Sequence, residues 1–257
     1  LSVFRIVNAG NPAITSRPHI ELWGNTLSWR RSPIRLFLYI LVFLYSAGTI
    51  FGGVTLGDSV LIPDARAQGN STGLASYGLM ESDDIHRWVD WIETVQHPRC
   101  MFGLGESMGA AQLLQSLPKE PRFCAVVAES SFATFREVAY ARFGRPLHTG
   151  PWIGRTFFRS TVDVGFLYVR LRYGLNMEDA SPERAVAGTR VPVLLIHGLR
   201  DRNIPPYHSD LIQAKNPSAI VVWKVPGAVH TGAHKVAPEE FERRVLQWFA
   251  NHTSTAR

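Results

Sequence analysis

The sequence predicts an α/β fold, a mainly parallel sheet with helices on both faces. Three observations carry that expectation. Short apolar runs of strand length alternate with segments of helical period from Val60 onward, the rhythm of a sheet built from strand–helix–strand units. Gly105-x-Ser107-x-Gly109 stands between one such run and a helix start. The chain of 257 residues has the length of one such domain with room for an insertion.

Residues 1–35 have no clean period and are turn-rich at Asn8–Pro12 and Ser16–Pro18. Leu36 to Val54 is then an uncharged run of 19 residues, long enough for one membrane crossing. Arg30, Arg31 and Arg35 precede it, which places that side in the cytoplasm. The reading is a divergent segment over 1–56 with a membrane anchor at 36–54, the alternative being a buried core segment of an otherwise cytoplasmic protein. The α/β domain then occupies 57–257.

Val60–Ile62 reads as a short buried strand stopped by Pro63. A helix over 82–96 follows, with Ser82 as its expected N-cap and Ile85, Val89, Ile92 and Val95 as its apolar stripe. Strands are expected at Arg99–Gly105, Cys124–Ala128, Val191–Gly198 and Ala219–Val225, and helices at 206–215 and 238–250. Residues 132–180 break this rhythm. They are rich in aromatic residues and read as helices inserted over the sheet edge, a lid. The two cysteines, Cys100 and Cys124, open apolar runs and read as buried free thiols.

Net charge is +6, unevenly spread. From Ala133 to Leu175 there are seven arginines against Glu137 and Asp163. No nucleic-acid module accompanies them, so nucleic acid is not an expected partner. There is no cluster with metal-ligand spacing and no phosphate-binding glycine loop, so no cofactor is expected. Oligomeric state is not legible.

A strand-to-helix turn as tight as Gly105–Gly109 forces its central serine into strained backbone geometry and lifts the hydroxyl clear of the sheet. The first N–H groups of the helix point at that hydroxyl and suit a developing negative charge. A serine hydroxyl needs an imidazole to take its proton and a carboxylate to orient the imidazole. In a parallel sheet all three must come from loops at the carboxyl ends of strands. Asp201, in Gly198-Leu199-Arg200-Asp201, is the expected acid, with Glu129 at the end of the preceding strand as the alternative. His230, in Val225-Pro226-Gly227-Ala228-Val229-His230, is the expected base, with His234 as the rival. His197 reads as a structural hydrogen-bonding residue.

Gly105-Glu106-Ser107-Met108-Gly109, His197-Gly198-x-x-Asp201-x-x-Ile204-Pro205 and Val225-Pro226-Gly227-Ala228-x-His230 together resemble the α/β-hydrolase superfamily. Within it they are similar to the prolyl-oligopeptidase-like and serine-aminopeptidase-like hydrolases. Pro63-Asp64-x-Arg66-x-x-Gly69-x-Ser71 resembles the family loop after the fourth strand. The resemblance covers 57 to 250. It implies Ser107, Asp201 and His230 as a triad, the Met108 N–H as one oxyanion donor, and a serine hydrolase acting on a small-molecule ester, thioester or amide. Upstream, the family's strands and the His-Gly turn that supplies the second donor are missing or replaced, with Gly52-Gly53 as the nearest candidate. The alternative function is therefore a catalytically impaired or non-enzymatic binding protein of the same fold.

Overall fold

In a computed structural model, residues 4–8, 19–22, 25–28 and 59–253 are described, with side chains from residue 60 onward apart from Leu147. Six strands form one sheet in the order β4-β1-β5-β6-β7-β8. They are β1 (Phe4–Asn8), β4 (Ser59–Leu61), β5 (Met101–Glu106), β6 (Phe123–Glu129), β7 (Val193–Gly198) and β8 (Ile220–Val225). β2 (His19–Leu22) and β3 (Asn25–Ser28) form a separate antiparallel pair. The helices are α1 (Glu81–Gln96), α2 (Met108–Ser116), α3 (Phe135–Gly144), α4 (Trp152–Phe157), α5 (Arg159–Tyr173), α6 (Pro182–Ala185), α7 (Tyr207–Lys215), α8 (Ala233–Val236) and α9 (Pro238–His252).

β5 to β8 run parallel to one another. The alternation along β6 shows why this centre is covered on both sides. Val126 and Ala128 pack with Leu113 of α2, Val89 of α1 and Ile212 of α7. Ala125 and Val127 pack with Phe241, Val245 and Phe249 of α9. Successive side chains of a strand point to opposite faces, so an apolar run without polar gaps demands helices on both.

Three expectations are corrected. The N-terminus does supply a strand to the sheet: β1 lies between β4 and β5 and is antiparallel to both, with Ile6 opposite Leu61 on one side and Gly103 on the other. Backbone pairing holds it there, and five residues are too short to show a period. Cys100 and Cys124 are not free thiols but a disulfide, with Cα atoms 5.8 Å apart. They open neighbouring parallel strands, and the Met101–Phe123 pairing brings those strand starts side by side. Ser82 is not the N-cap of α1, since Met80 holds that position. Glu81 ties the entry instead, its carboxylate accepting from the Ser76 and Gly78 N–H groups at 2.8 and 2.9 Å.

The apolar run at 36–54 and the Gly52-Gly53 turn lie outside the described residues. Among the described residues no helix is long and apolar enough to cross a membrane.

Candidate active site

Ser107 sits at the turn from β5 into α2 with φ 53° and ψ −116°, a conformation an L-residue adopts only under constraint. Two features hold it. The Ser107 N–H donates to the Glu129 carbonyl at 2.8 Å, locking the turn to the end of β6. Gly105 lets α2 approach its own strand: a Cβ there would lie 2.7 Å from the Gly109 carbonyl oxygen. Met108 opens the helix, so its N–H is among those that an α-helix leaves without an intrahelical acceptor.

The structure brings the three expected residues together. Ser107 Oγ is 2.8 Å from His230 Nε2, and His230 Nδ1 is 2.8 Å from Asp201 Oδ2. The carboxylate can only accept, so the proton on that side belongs to Nδ1. Nε2 is thereby left as the acceptor for the serine hydroxyl. Asp201 is 3 % exposed. Burial alone would raise its pKa, but hydrogen bonding to His197 and His230 and the donation from the Ile204 N–H win, and hold the carboxyl well below the usual carboxylate range. Its Oδ1 accepts from the Asn203 and Ile204 N–H groups at 2.8 and 2.9 Å, so the acid loop wraps its own side chain.

The loops carrying acid and base are joined by backbone. The Arg200 N–H donates to the Ala228 carbonyl at 2.8 Å and the Leu199 N–H to the Val225 carbonyl at 3.0 Å. Gly198 permits this approach, because a Cβ there would lie 2.4 Å from the Ala228 oxygen. His197 takes the structural place expected of it. Its Nε2 donates to the Ile204 carbonyl at 2.8 Å, and Nδ1 accepts from the Ser209 hydroxyl at 2.5 Å.

The alternative residues lie elsewhere. Glu129 accepts the Ala233 N–H at 2.9 Å, whereas the carboxylate hydrogen-bonded to His230 is that of Asp201. Burial, with Glu106 and Asp201 adding to it, pushes its pKa up to about 8, so it is a neutral acid at neutral pH. His234 faces Glu242 at 3.3 Å and the edge of the Phe241 ring, away from Ser107.

Two contributors were not read from the sequence as parts of the site. Ser130, itself at φ 54°, accepts the Thr231 N–H at 3.2 Å. With Glu129 it pins the base loop to the end of β6. The Glu129-Ser130 pair at a strand end was the only signal for this. Beside the acid loop, α3 of the insertion packs Val138 in one cluster with Ile204 and Phe132. Among the described residues no group of three or more His, Cys, Asp or Glu is placed to hold a metal ion.

A hydroxyl, an imidazole and a buried carboxylate in this order, on loops at the ends of parallel strands, mark a class of fold and site rather than one reaction. The chain belongs to the Alpha/beta hydrolase family, whose sequence pattern matches residues 22–244. The match begins well upstream of Gly57, where the sequence resemblance was expected to start, and it takes in the run at 36–54. Over 200 residues the chain is 26% identical to the Bacillus subtilis protein YqkD, which is uncharacterized; the alignment covers 76% of this chain and 63% of that one. The chain thus spans less than two thirds of that relative. Among solved structures, the Pyrococcus furiosus esterase Pf2001 superposes with a TM-score of 0.57 at 20% identity, over 76% of this chain and 71% of that one. A puromycin-hydrolyzing peptidase of Mycobacterium tuberculosis superposes with a TM-score of 0.50 at 18% identity, over 69% of this chain and 26% of that one.

Proposed function

We propose that the protein is a serine hydrolase that cleaves esters, thioesters or small amides through an acyl-enzyme. The observation that carries this is the unbroken chain from Ser107 Oγ through His230 to Asp201, with both contacts at 2.8 Å. His230 Nε2 takes the serine proton as Oγ attacks the substrate carbonyl carbon. The carbonyl oxygen becomes an oxyanion beside the Met108 N–H, and Asp201 stabilises the imidazolium. Collapse expels the leaving group, which takes the proton from His230. Water then repeats the sequence on the acyl-serine, releasing the acid and restoring the hydroxyl. Esters come first among the substrates, in line with the fold shared with the Pyrococcus furiosus esterase. Aromatic side chains of the insertion, such as Phe132, Phe135 and Phe166, suit an apolar acyl group.

The test is labelling of the purified chain by a fluorophosphonate, with Ser107→Ala and His230→Ala alongside. Labelling that vanishes in both variants supports the reading. A folded protein that takes up no label overturns it in favour of a binding protein of the same fold.

A further inference from the structure

α5 is apolar on two opposite sides. At 100° per residue, Val162, Phe166 and Val169 form an inward stripe, with Val162 buried and Phe166 stacked on Phe135 at 6.1 Å. The opposite side carries Val164, Leu167, Tyr168 and Leu171, the spacing of a second apolar face. These four are 65%, 54%, 60% and 78% exposed. Trp152 and Phe157 of the adjoining α4 are exposed as well. A helix that is apolar all round is normally buried all round. α9, of the same fifteen residues, shows the ordinary pattern. It buries Phe241, Val245 and Phe249 and turns Glu240, Arg243 and Arg244 outward.

The charges around the second face are one-sided. The acids of this region are already taken: Asp163 and Glu178 by Arg136, Glu137 by Arg155, and Asp179 by Arg184. Among the described residues Arg159, Arg170 and Arg172 pair with no carboxylate. Arg159 and Arg170 lie along one flank of the apolar face and Arg172 along the other. At the end of α3, Arg142 and Arg145 add to the same sign.

We infer that this face docks on an anionic phospholipid surface. Leucine and valine enter the acyl boundary, tryptophan and tyrosine sit at headgroup level, and the arginines reach lipid phosphates from both flanks. A second copy of the chain would set one group of guanidiniums without carboxylate partners against another. The uncharged run at 36–54 would cover the apolar side chains and leave the arginines unmatched. The bilayer surface answers both.

The experiment is flotation of the whole chain with phosphatidylcholine vesicles, with and without phosphatidylserine, at low and high salt. Two variants carry it, Leu167→Ser/Leu171→Ser and Arg170→Glu/Arg172→Glu, with Arg190→Glu, an exposed position ahead of β7, as the control. Circular dichroism checks that each variant is folded. The inference expects phosphatidylserine-dependent, salt-sensitive binding of the parent chain. It expects each double variant to lower that binding by about tenfold or more, and Arg190→Glu to match the parent. It is overturned if the parent ignores phosphatidylserine, if the double variants bind as the parent does, or if the leucine variant instead abolishes a self-associated form seen in sedimentation. The readout is binding, so it stands apart from whether Ser107 is a working nucleophile.

Discussion

Two buried carboxyl groups end neighbouring strands and meet opposite fates. Asp201 follows β7 and Glu129 ends β6, and they are 3% and 2% exposed. Asp201 is met by donors on both oxygens: the Asn203 and Ile204 N–H groups on one and His230 on the other. Glu129 accepts one backbone N–H and faces two other acids, Glu106 and Asp201. Desolvation acts on both, and it is the count of donors that decides which carboxyl stays charged. A charged group can stabilise an imidazolium and a neutral one cannot, so the same burial yields a proposed catalytic acid in one loop and a brace for the base loop in the other.

The sharpest way to break this contrast is Asp201→Asn. If Asp201 is the acid, ester turnover or the fluorophosphonate labelling rate falls by about ten-thousand-fold, and the intact Glu129 does not rescue it. A small loss would shift the assignment to Glu129. Next in size is Glu129→Ala, which strips the Ala233 N–H of its acceptor. Urea denaturation should show a loss of about 1–3 kcal/mol from that unsatisfied donor, whereas Glu129→Gln, which keeps an accepting oxygen, should hold turnover near the parent.

The pH dependence of stability separates the two by sign. Glu129 binds more protons folded than unfolded between its ordinary 4.5 and about 8, so its contribution falls as pH rises through that window, by at most about 1.4 kcal/mol per unit. Asp201, depressed in the folded state, contributes stability above its ordinary 3.8 that is lost as pH falls. Urea midpoints across pH for the parent and Glu129→Gln test this, and an unchanged slope between pH 5 and about 8 in the variant would refute the neutral Glu129. The smallest effect belongs to an exposed carboxylate. Asp83 pairs with Lys119 at 2.6 Å with both side chains about half exposed, and Lys119→Ala should move stability by less than about 1 kcal/mol.

The elbow was legible because its determinants are local. A strand, two glycines and a helix start within a dozen residues allow one kind of turn, and Ser107 at φ 53° is what that turn requires. The order of strands and helices from β5 to α9 was legible for a similar reason: burial on both faces leaves continuous apolar runs, and burial on one leaves a helical stripe. The inserted helices were visible as an interruption of that rhythm. Their outward face was not, because a sequence stripe shows that a side is apolar and not which side has a partner.

By itself, then, the sequence determined the class of fold, the serine at the apex and the loops from which its partners come, since each follows from contacts between residues close in the chain. Only the tertiary structure set Asp201, the acid its loop favoured, against His230 and turned Glu129 to the Ala233 N–H. It also joined Cys100 to Cys124, set β1 antiparallel between β4 and β5 and used Gly198 to let the acid and base loops touch. Each of these depends on which distant segments lie side by side, and on the donors and burial that arrangement creates.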